Sequence, residues 1–264
     1  MARAPRDGCL LCGPSVVSIR CPRAGSNRWR PRRRSRRGRT GQDDGAAVRP
    51  RYRIRRPQGG SVRLLVVGAG GHAKVVIDAA RLAGFDVVAA VGHEGGAEAL
   101  LGVPVLLAAQ DVAFDVFIAA IGDNAARARA FAAYVAQGLT PATVVHPTAV
   151  IAETVTLGAG TFVAAGVIVN VDARVGQDVI LNTGCTVDHD CVVGDHVLIG
   201  PTASLCGGVS VGTGTLLGAG VSVVPRACIG DNSVVGAGAA VIGDVPDGMV
   251  FAGVPAQPIR PIGA

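Results

Sequence analysis

Residues 169–199 read VNVDARVGQDVILNTGCTVDHDCVVGDHVLI. Every sixth residue of this stretch is Val, Leu or Ile, and the residue four places after each of them is small or β-branched. The same pattern continues in both directions and covers seventeen consecutive aliphatic positions: 145, 151, 157, 163, 169, 175, 181, 187, 193, 199, 205, 211, 217, 223, 229, 235 and 241. Neither an α-helix nor a heptad repeat has a period of six.

A solenoid of very short strands accounts for this period. The aliphatic residue and the small residue four places later would both point inward, and the Gly that often follows the aliphatic would relieve the corner. Three hexapeptides per triangular coil would give about six coils. We therefore predict a hexapeptide β-helix over residues 143–245, with no long loop extruded, and a C-terminal cap or arm over residues 246–264.

The residues before the repeat alternate between strand and helix patterns. Apolar runs predict strands at 62–67, 85–91 and 115–122. A helical pattern follows the first strand from Lys74 to Leu82, and another, capped by Asn124, follows the third strand to about Gln137. This order predicts a small parallel α/β domain over residues 62–142.

Charge divides the chain into two unequal parts. Residues 1–60 contain 17 Arg and 3 acidic residues, a net charge of +14, whereas residues 61–264 contain 8 basic and 16 acidic residues, a net charge of −8. We interpret residues 1–61 as a disordered, dispensable Arg-rich extension; a basic nucleic-acid arm and an organelle transit peptide are the alternatives. The acidic charge of the remainder argues against nucleic acid as a partner.

Apolar and cysteine content indicate the compartment. No apolar run reaches the length of about 18 residues that a membrane helix needs, so we predict a cytoplasmic protein that does not bind a membrane. Cys185, Cys191, Cys206 and Cys228 lie among Val and Ala, and we interpret them as small core residues in a reducing compartment. The isolated Cys9–Cys12 pair lacks the second pair that a zinc site requires.

His189 is the strongest candidate for chemistry within the repeat. It lies between Asp188 and Asp190, at an outward or corner position of its hexapeptide. A carboxylate beside an imidazole raises its pKa and orients it, which is typical of a general base. The alternatives are a solvated surface histidine and His196 as the functional residue.

His72 is the candidate for ligand binding in the α/β domain. It follows the glycines of VVGAGGHA, where a strand-to-helix turn can present backbone N–H groups to an anion. Gly68, Gly70 and Ala73 also fit a loose dinucleotide fingerprint, but the acidic residue expected at the end of the second strand is missing. A nucleotide-linked ligand therefore fits better than a dinucleotide cofactor.

In combination these motifs resemble the NeuD/PglD-type sugar acetyltransferases. The resemblance rests on GAGGHAK, AIGDNAAR, VVHPTAVI, LNTGCTVDHDCVVGD and the closing VFAGVPAQPIR, and it extends over about residues 62–260. It implies a Rossmann-like N-terminal domain followed by a left-handed parallel β-helix. It also implies a homotrimer, with acetyl-CoA in a cleft between neighbouring subunits.

The resemblance assigns roles to individual residues. His189 matches the general base and Asp190 the acid beside it, while Gly70, Gly71, His72 and Gly122 match contacts of a nucleotide-sugar acceptor. For acetyl-CoA, the implied contacts are Asn182, Gly207, Ala219 and Ala237.

Two positions depart from the family pattern. Leu198 replaces a histidine that faces acetyl-CoA in many members, and His196, two residues earlier, is our candidate for that contact. Gly92 and His93 replace an Asp pair after the second strand, which bears on how the acceptor is bound.

The leading hypothesis is acetyl transfer from acetyl-CoA to an amino or hydroxyl group of a sugar or nucleotide-activated sugar, a precursor of a cell-surface glycan. We expect no metal. The alternatives are a non-catalytic β-helical scaffold and a carbonic-anhydrase-like metalloenzyme, which would need three histidines. A trimer is also expected because Ile180, Val192 and Leu198 fall at outward positions that another subunit would bury.

Overall fold

A computed structural model describes residues 61–93 and 96–263 of the chain. The predicted Arg-rich extension lies, apart from Ser61, outside the described residues. The elements fall into two groups, an α/β sheet with two helices and a solenoid of two-residue strands. No helix within the described residues is long and apolar enough to cross a membrane.

The α/β part has a five-stranded sheet with spatial order β3-β4-β2-β1-β5. Its strands are β1 (Arg63–Val67), β2 (Asp86–Val91), β3 (Ala99–Leu100), β4 (Val103–Leu106) and β5 (Val116–Ala119). The pairs β1–β2 and β1–β5 are parallel, as predicted, whereas β4, which pairs in parallel with β2, and β3, which pairs antiparallel with β4, were not predicted. A short 3-10 helix spans Ala109–Asp111.

Both predicted helices are present, with different first residues. Helix α1 spans Gly71–Leu82 and begins three residues earlier than predicted, directly after the glycine turn. Helix α2 spans Asn124–Ala136, and its N-cap is Asp123, whose side chain accepts a hydrogen bond from the Ala126 N–H at 2.7 Å. Asn124 therefore does not cap the helix, and its side chain has other partners.

From Val144 onward the chain forms a left-handed parallel β-helix, in which the two-residue strands pair with strands 18 residues later, as far as the pairing of Ser222 with Ala240. Ile180 pairs with Leu198, for example, and Leu198 pairs with Leu216. Eighteen residues are three hexapeptides, so each coil contributes one strand to each of three sheets. The predicted triangular coil is confirmed.

The strands of the three sheets alternate along the chain. The first sheet contains β6 (Val144–Val145), β9 (Phe162–Val163), β12 (Ile180–Leu181), β15 (Leu198–Ile199), β18 (Leu216–Leu217), β21 (Val234–Val235), β23 (Met249–Ala252) and β24 (Gln257–Pro261). The second contains β7 (Val150–Ile151), β10 (Ile168–Val169), β13 (Thr186–Val187), β16 (Ser204–Leu205), β19 (Ser222–Val223) and β22 (Ala240–Val241). The third contains β8 (Thr156–Leu157), β11 (Arg174–Val175), β14 (Val192–Val193), β17 (Ser210–Val211) and β20 (Cys228–Ile229).

The C-terminal residues extend the first sheet. Strand β23 pairs in parallel with β21, and β24 then turns back antiparallel to β23. The segment predicted as a cap or arm is thus a hairpin at the end of the β-helix.

The sixth-residue aliphatics form the interior of the solenoid. They are buried at every repeat from Val163 to Val241, together with the small residues four places later. Cys185 and Cys191 are among these buried residues, as expected, whereas Cys206 and Cys228 lie half-buried at outward positions and do not fill the core.

The turns between strands form three edges that run along the β-helix. We name each edge by one of its residues. The Thr183 edge has its turns at 147–148, 165–166, 183–184, 201–202, 219–220 and 237–238; the His189 edge has them at 153–154, 171–172, 189–190, 207–208 and 225–226; the His196 edge has them at 159–160, 177–178, 195–196, 213–214 and 231–232. The first sheet lies between the His196 and Thr183 edges, so the His189 edge is the one opposite it.

The α/β part packs on the first sheet and on the His196 edge. The His72 ring lies edge-on to Phe162 of β9, with ring centroids 5.5 Å apart. Ile180, the neighbour of Phe162 in this sheet, is only 1% exposed. The expectation that Ile180 awaits burial by another subunit is therefore wrong, because the α/β part of the same chain covers this face; Val192 and Leu198 are half-buried.

Candidate active site

His189 and Asp190 form a hydrogen-bonded pair on the surface of the β-helix. The His189 Nδ1 and the Asp190 Oδ2 are 2.8 Å apart, and the two side chains are 56% and 66% exposed. A carboxylate only accepts hydrogen bonds, so Nδ1 carries the proton and donates it to Asp190. The other ring nitrogen, Nε2, is then left with its lone pair available to take a proton.

Asp188 holds the backbone of the same turn. Its Oδ1 accepts hydrogen bonds from the His189 N–H at 2.8 Å and from the Asn170 Nδ2 at 2.8 Å, and both bonds lower the pKa of Asp188. The pKa of His189 is raised, first by its hydrogen bond to Asp190 and then by the charge of Asp188, while Arg226 acts in the opposite direction. The imidazolium form of His189 is thus stabilised by two carboxylates.

Gly207 provides the space that the imidazole occupies. It lies on the same edge, one coil after His189, and a Cβ at this position would be 2.5 Å from the His189 Nε2 and Cε1. The ring can therefore lie against the next coil only because residue 207 has no side chain. The cleft around the ring has a volume of about 580 Å³, and its other walls include Cys206, Pro225 and Arg226.

The predicted acceptor-binding glycines lie at the carboxyl ends of two adjacent parallel strands. Gly70 and Gly71 follow β1, Gly122 follows β5, and all three are exposed. A Cβ at any of them would have no neighbour within 4 Å, so their backbone is open to a ligand. This is the edge of a parallel α/β sheet at which ligands bind, and the N-terminus of α1 adds N–H groups suited to an anion.

His72 follows these glycines but is more enclosed than they are. Its Nε2 is buried and has no hydrogen-bond partner in the described part of the chain. Burial, and secondarily the charge of Arg127, lower the pKa of His72 to about 4. The ring is therefore neutral at physiological pH.

The predicted acetyl-CoA contacts lie on three different edges of one chain. Asn182, Ala219 and Ala237 lie on or beside the Thr183 edge, Gly207 on the His189 edge and His196 on the third. The His196 Nδ1 is 2.8 Å from the buried Asp178 Oδ2, and its ring is 5.9 Å from that of Phe131 in α2. Contact of His196 with coenzyme stays a prediction, since a single chain does not bring these five residues together.

Two side chains join α2 to the β-helix: Arg127, which the sequence analysis did not select, and Asn124, which it selected only as a helix cap. Arg127 is completely buried and pairs with Asp178, and the Asn124 Nδ2 donates to the carbonyls of Gly214 and Thr215 at 3.0 and 3.1 Å. Helical spacing could have indicated Arg127, because it shares a helix face with Phe131 four residues later. Within residues 61–93 and 96–263, no group of three or more His, Cys, Asp or Glu could hold a metal ion.

The fold and these motifs have counterparts among known proteins. The PglD N-terminal domain family model matches residues 63–134. The crystal structure of PerB from Caulobacter crescentus in complex with CoA and GDP-perosamine is 39% identical, covers 76% of this chain and 98% of its own, and superposes with a TM-score of 0.72. The acetyltransferase domain of PglB from Neisseria gonorrhoeae in complex with acetyl coenzyme A is 31% identical, covers 76% of this chain and 100% of its own, and has a TM-score of 0.71.

These similarities decide the family. The chain belongs to the NeuD/PglD-type sugar acetyltransferases. Membership makes it an acetyl-CoA-dependent acyltransferase, and it confirms the predicted combination of a Rossmann-like domain with a left-handed β-helix. WeeI from Acinetobacter baumannii, at 23% identity and a TM-score of 0.62, shares the fold. Curated protein sequences gave no significant match.

Proposed function

We propose that this protein transfers the acetyl group of acetyl-CoA to an amino or hydroxyl group of a nucleotide-linked sugar, with His189 as the general base. The observation that supports this is the exposed His189–Asp190 pair, which lies on an open cleft. On the next coil, Gly207 has no side chain and so leaves room for the His189 ring. The β-helix itself needs only aliphatic, small and turn-forming residues, so folding does not explain an imidazole there.

The proposed reaction is a direct transfer. The His189 Nε2 takes a proton from the acceptor amine or hydroxyl as that group attacks the thioester carbonyl carbon, and the carbon–sulfur bond then breaks to release CoA. Asp190 stabilises the imidazolium that forms, and the backbone N–H of Gly207 stabilises the oxyanion of the tetrahedral intermediate. The proton on His189 finally passes to the CoA thiolate.

The acceptor is proposed to lie on the glycine turns of the α/β part. Gly70, Gly71 and Gly122 would contact it through their backbones, and the N-terminus of α1 suits the phosphates of a nucleotide sugar. The neutral ring of His72 offers a hydrogen-bonding atom at the same turn. The PerB complex with GDP-perosamine supports a nucleotide-linked amino sugar as the first acceptor to test.

The positions of these two sites in the fold favour an assembly of several copies. The α/β part lies on the first sheet and the His196 edge, whereas His189 lies on the opposite edge of the same chain. An acceptor held by one copy would therefore react at His189 of another. We propose a homotrimer with closed threefold symmetry, in which each copy binds acceptor for one neighbour and supplies His189 to the other. The same arrangement would bring the predicted acetyl-CoA contacts of neighbouring copies together.

Replacing His189 tests the catalytic proposal. With acetyl-CoA and a panel of nucleotide-linked amino sugars that includes GDP-perosamine, we expect His189→Ala to reduce kcat by about 10² to 10⁴-fold, measured by thiol release. His146→Ala is the matched control, since the His146 ring bonds within its own turn, to the N–H and hydroxyl of Thr148, and its removal should leave kcat unchanged. Normal turnover by His189→Ala combined with an inactive His196→Ala would show that the base is the other histidine.

A further inference from the structure

Helix α2 lies along the His196 edge and contacts a different coil at each turn. Phe131 packs over Gly160, where a Cβ would be 2.5 Å from the phenyl ring. Arg127 contacts Asp178 and His196 on the next two coils, and Asn124 reaches Gly214 on the coil after those. The match is possible because one helical turn rises about 5.4 Å and neighbouring strands are about 4.8 Å apart.

A match between two regular repeats does not by itself determine the coil against which each turn of α2 packs. The β-helix repeats every 18 residues, so the strand spacing alone would let a helix pack one coil higher or lower, and the side chains along the edge must distinguish the coils, as Gly160 does beneath Phe131. Residues 160, 178, 196, 214 and 232 occupy equivalent turn positions along this edge, and Asp178 is the only acidic one among them. A cation on α2 therefore distinguishes one coil from the rest.

Arg127 is that cation, and its whole guanidinium group is engaged. Its Nε donates to the Asp178 carbonyl at 3.1 Å and lies 3.3 Å from the Asp178 Oδ2. One terminal nitrogen donates to the Ile121 carbonyl at 3.2 Å and to the Asn124 Oδ1 at 2.9 Å, and the other donates to the His196 carbonyl at 2.7 Å. Arg127 thus links the β5–α2 loop to two coils of the β-helix.

Stability alone does not explain this pair. Both side chains are 0% exposed, and a buried ion pair is often no more stabilising than an apolar pair of the same volume. The best-attested use of buried polar groups is to fix register. Here the register concerns the loop that contains Gly122, between Ile121 and Asn124.

We propose that Arg127 and Asp178 are positioning residues for the acceptor: by selecting the coil on which α2 packs, they fix the β5–α2 loop, and thus the bound acceptor, relative to the β-helix. This rests on the proposed function in that the loop is taken as part of the acceptor site. The inference about loop position itself does not require any activity.

Three variants separate positioning from stability. Arg127→Met leaves the Asp178 carboxylate buried without its cation, so we expect a lower Tm. In Arg127→Met/Asp178→Asn the buried charge is gone and Asn suits the positive φ of residue 178, so we expect most of the Tm to return. Arg129→Met is the matched control, because Arg129 lies exposed on the same helix.

The double variant carries the decisive measurements. We expect its KM for the acceptor, assayed with GDP-perosamine, to stay about tenfold or more above that of the unaltered protein, with KM for acetyl-CoA unchanged. Amide hydrogen exchange at residues 121–126, measured without substrates, should be faster than in the Arg129→Met control. A double variant with a recovered Tm, a normal acceptor KM and normal exchange would overturn the proposal and leave the pair a purely structural contact.

The proposal remains testable if the Met variants do not fold or if no acceptor is acetylated. If both Met variants fail to fold, Arg127→Lys keeps the charge beside Asp178 but has one ammonium group in place of the planar fork, so acceptor KM should still rise; a normal acceptor KM would contradict us. If the unaltered protein acetylates no acceptor, the proposed function fails, while hydrogen exchange at residues 121–126 still tests the role of Arg127.

Discussion

Asp190 acts on His189 through a single hydrogen bond, and the pH profile of turnover measures its effect. A general base works as the neutral imidazole, and Asp190 raises the pKa of His189 above its ordinary value of about 6.5. The active fraction therefore grows as pH rises through this raised pKa. In Asp190→Asn the pKa should fall, so the acidic limb of kcat/KM should move to lower pH, while the rate at its plateau decreases less than in His189→Ala.

Asp172→Asn is the matched control for this prediction. Asp172 occupies the same turn position one coil earlier, also with a positive φ, and contacts neither ring nitrogen of His189. An acidic limb that stays in place in Asp190→Asn would show that Asp190 does not govern the protonation of the base.

Gly207 offers a steric test of the same site. In Gly207→Ala the new methyl group would overlap the imidazole, so the ring must leave its position beside Asp190, and we expect kcat to fall at least tenfold. The backbone should tolerate the change, because Ala219 and Ala237 occupy the corresponding turn position on another edge. The measurement is kcat together with Tm; unchanged kcat would mean that the ring position is not critical.

At the residue scale, adjacency in the chain was predictable and contact across coils was not. The pairing of His189 with Asp190 follows from their sequence positions. The packing of the ring on Gly207 depends on side-chain orientation between residues 18 apart, which the period alone does not determine. Arg127 lies in the sequence AARARAF, where nothing distinguishes it from the exposed Arg129 except the face of the helix.

The contact between α2 and the β-helix yields a prediction at the scale of elements. Gly160→Ala would place a Cβ against Phe131, at a residue whose φ is +76°. Gly238→Ala has the same backbone requirement, φ +70°, but no neighbouring atom within 4 Å. We expect Gly160→Ala to lower the free energy of unfolding by about 1 to 3 kcal/mol more than Gly238→Ala, as measured by urea denaturation. Equal losses would show that the helix does not press on this edge.

Elements were predictable where the pattern is local and repeated. The β-helix follows from the sixth-residue aliphatics, since each of them, from Val163 to Val241, is buried in its own coil. The β3–β4 pair has only six residues in strands and too little periodicity to be recognised. The burial of Ile180 could not be predicted either, because it depends on which face of the solenoid the α/β part covers.

The proposed division of labour between copies can be tested on the whole molecule. His189→Ala lacks the proposed base, and Gly122→Trp should block the proposed acceptor loop, so each protein alone should be inactive. If the acceptor and the base come from different copies, unfolding the two together and refolding them should restore about a quarter of the activity, since each site draws both parts independently. Recovery near zero, with mixed trimers demonstrated by mass spectrometry, would place both parts in one chain.

Successive turns of α2 contact successive coils along the His196 edge, and this match limits where the β-helix can lengthen in evolution. Duplicating an 18-residue coil within residues 160–214 would insert a layer under the helix and separate Phe131, Arg127 and Asn124 from the coils they touch. A coil added after residue 214 meets no such obstacle. Helical pitch exceeds coil spacing by about 0.6 Å, so a longer α2 would also drift out of step within a few turns. Duplication of a coil is therefore compatible with the fold near the C-terminal end of the β-helix and incompatible with it beneath α2.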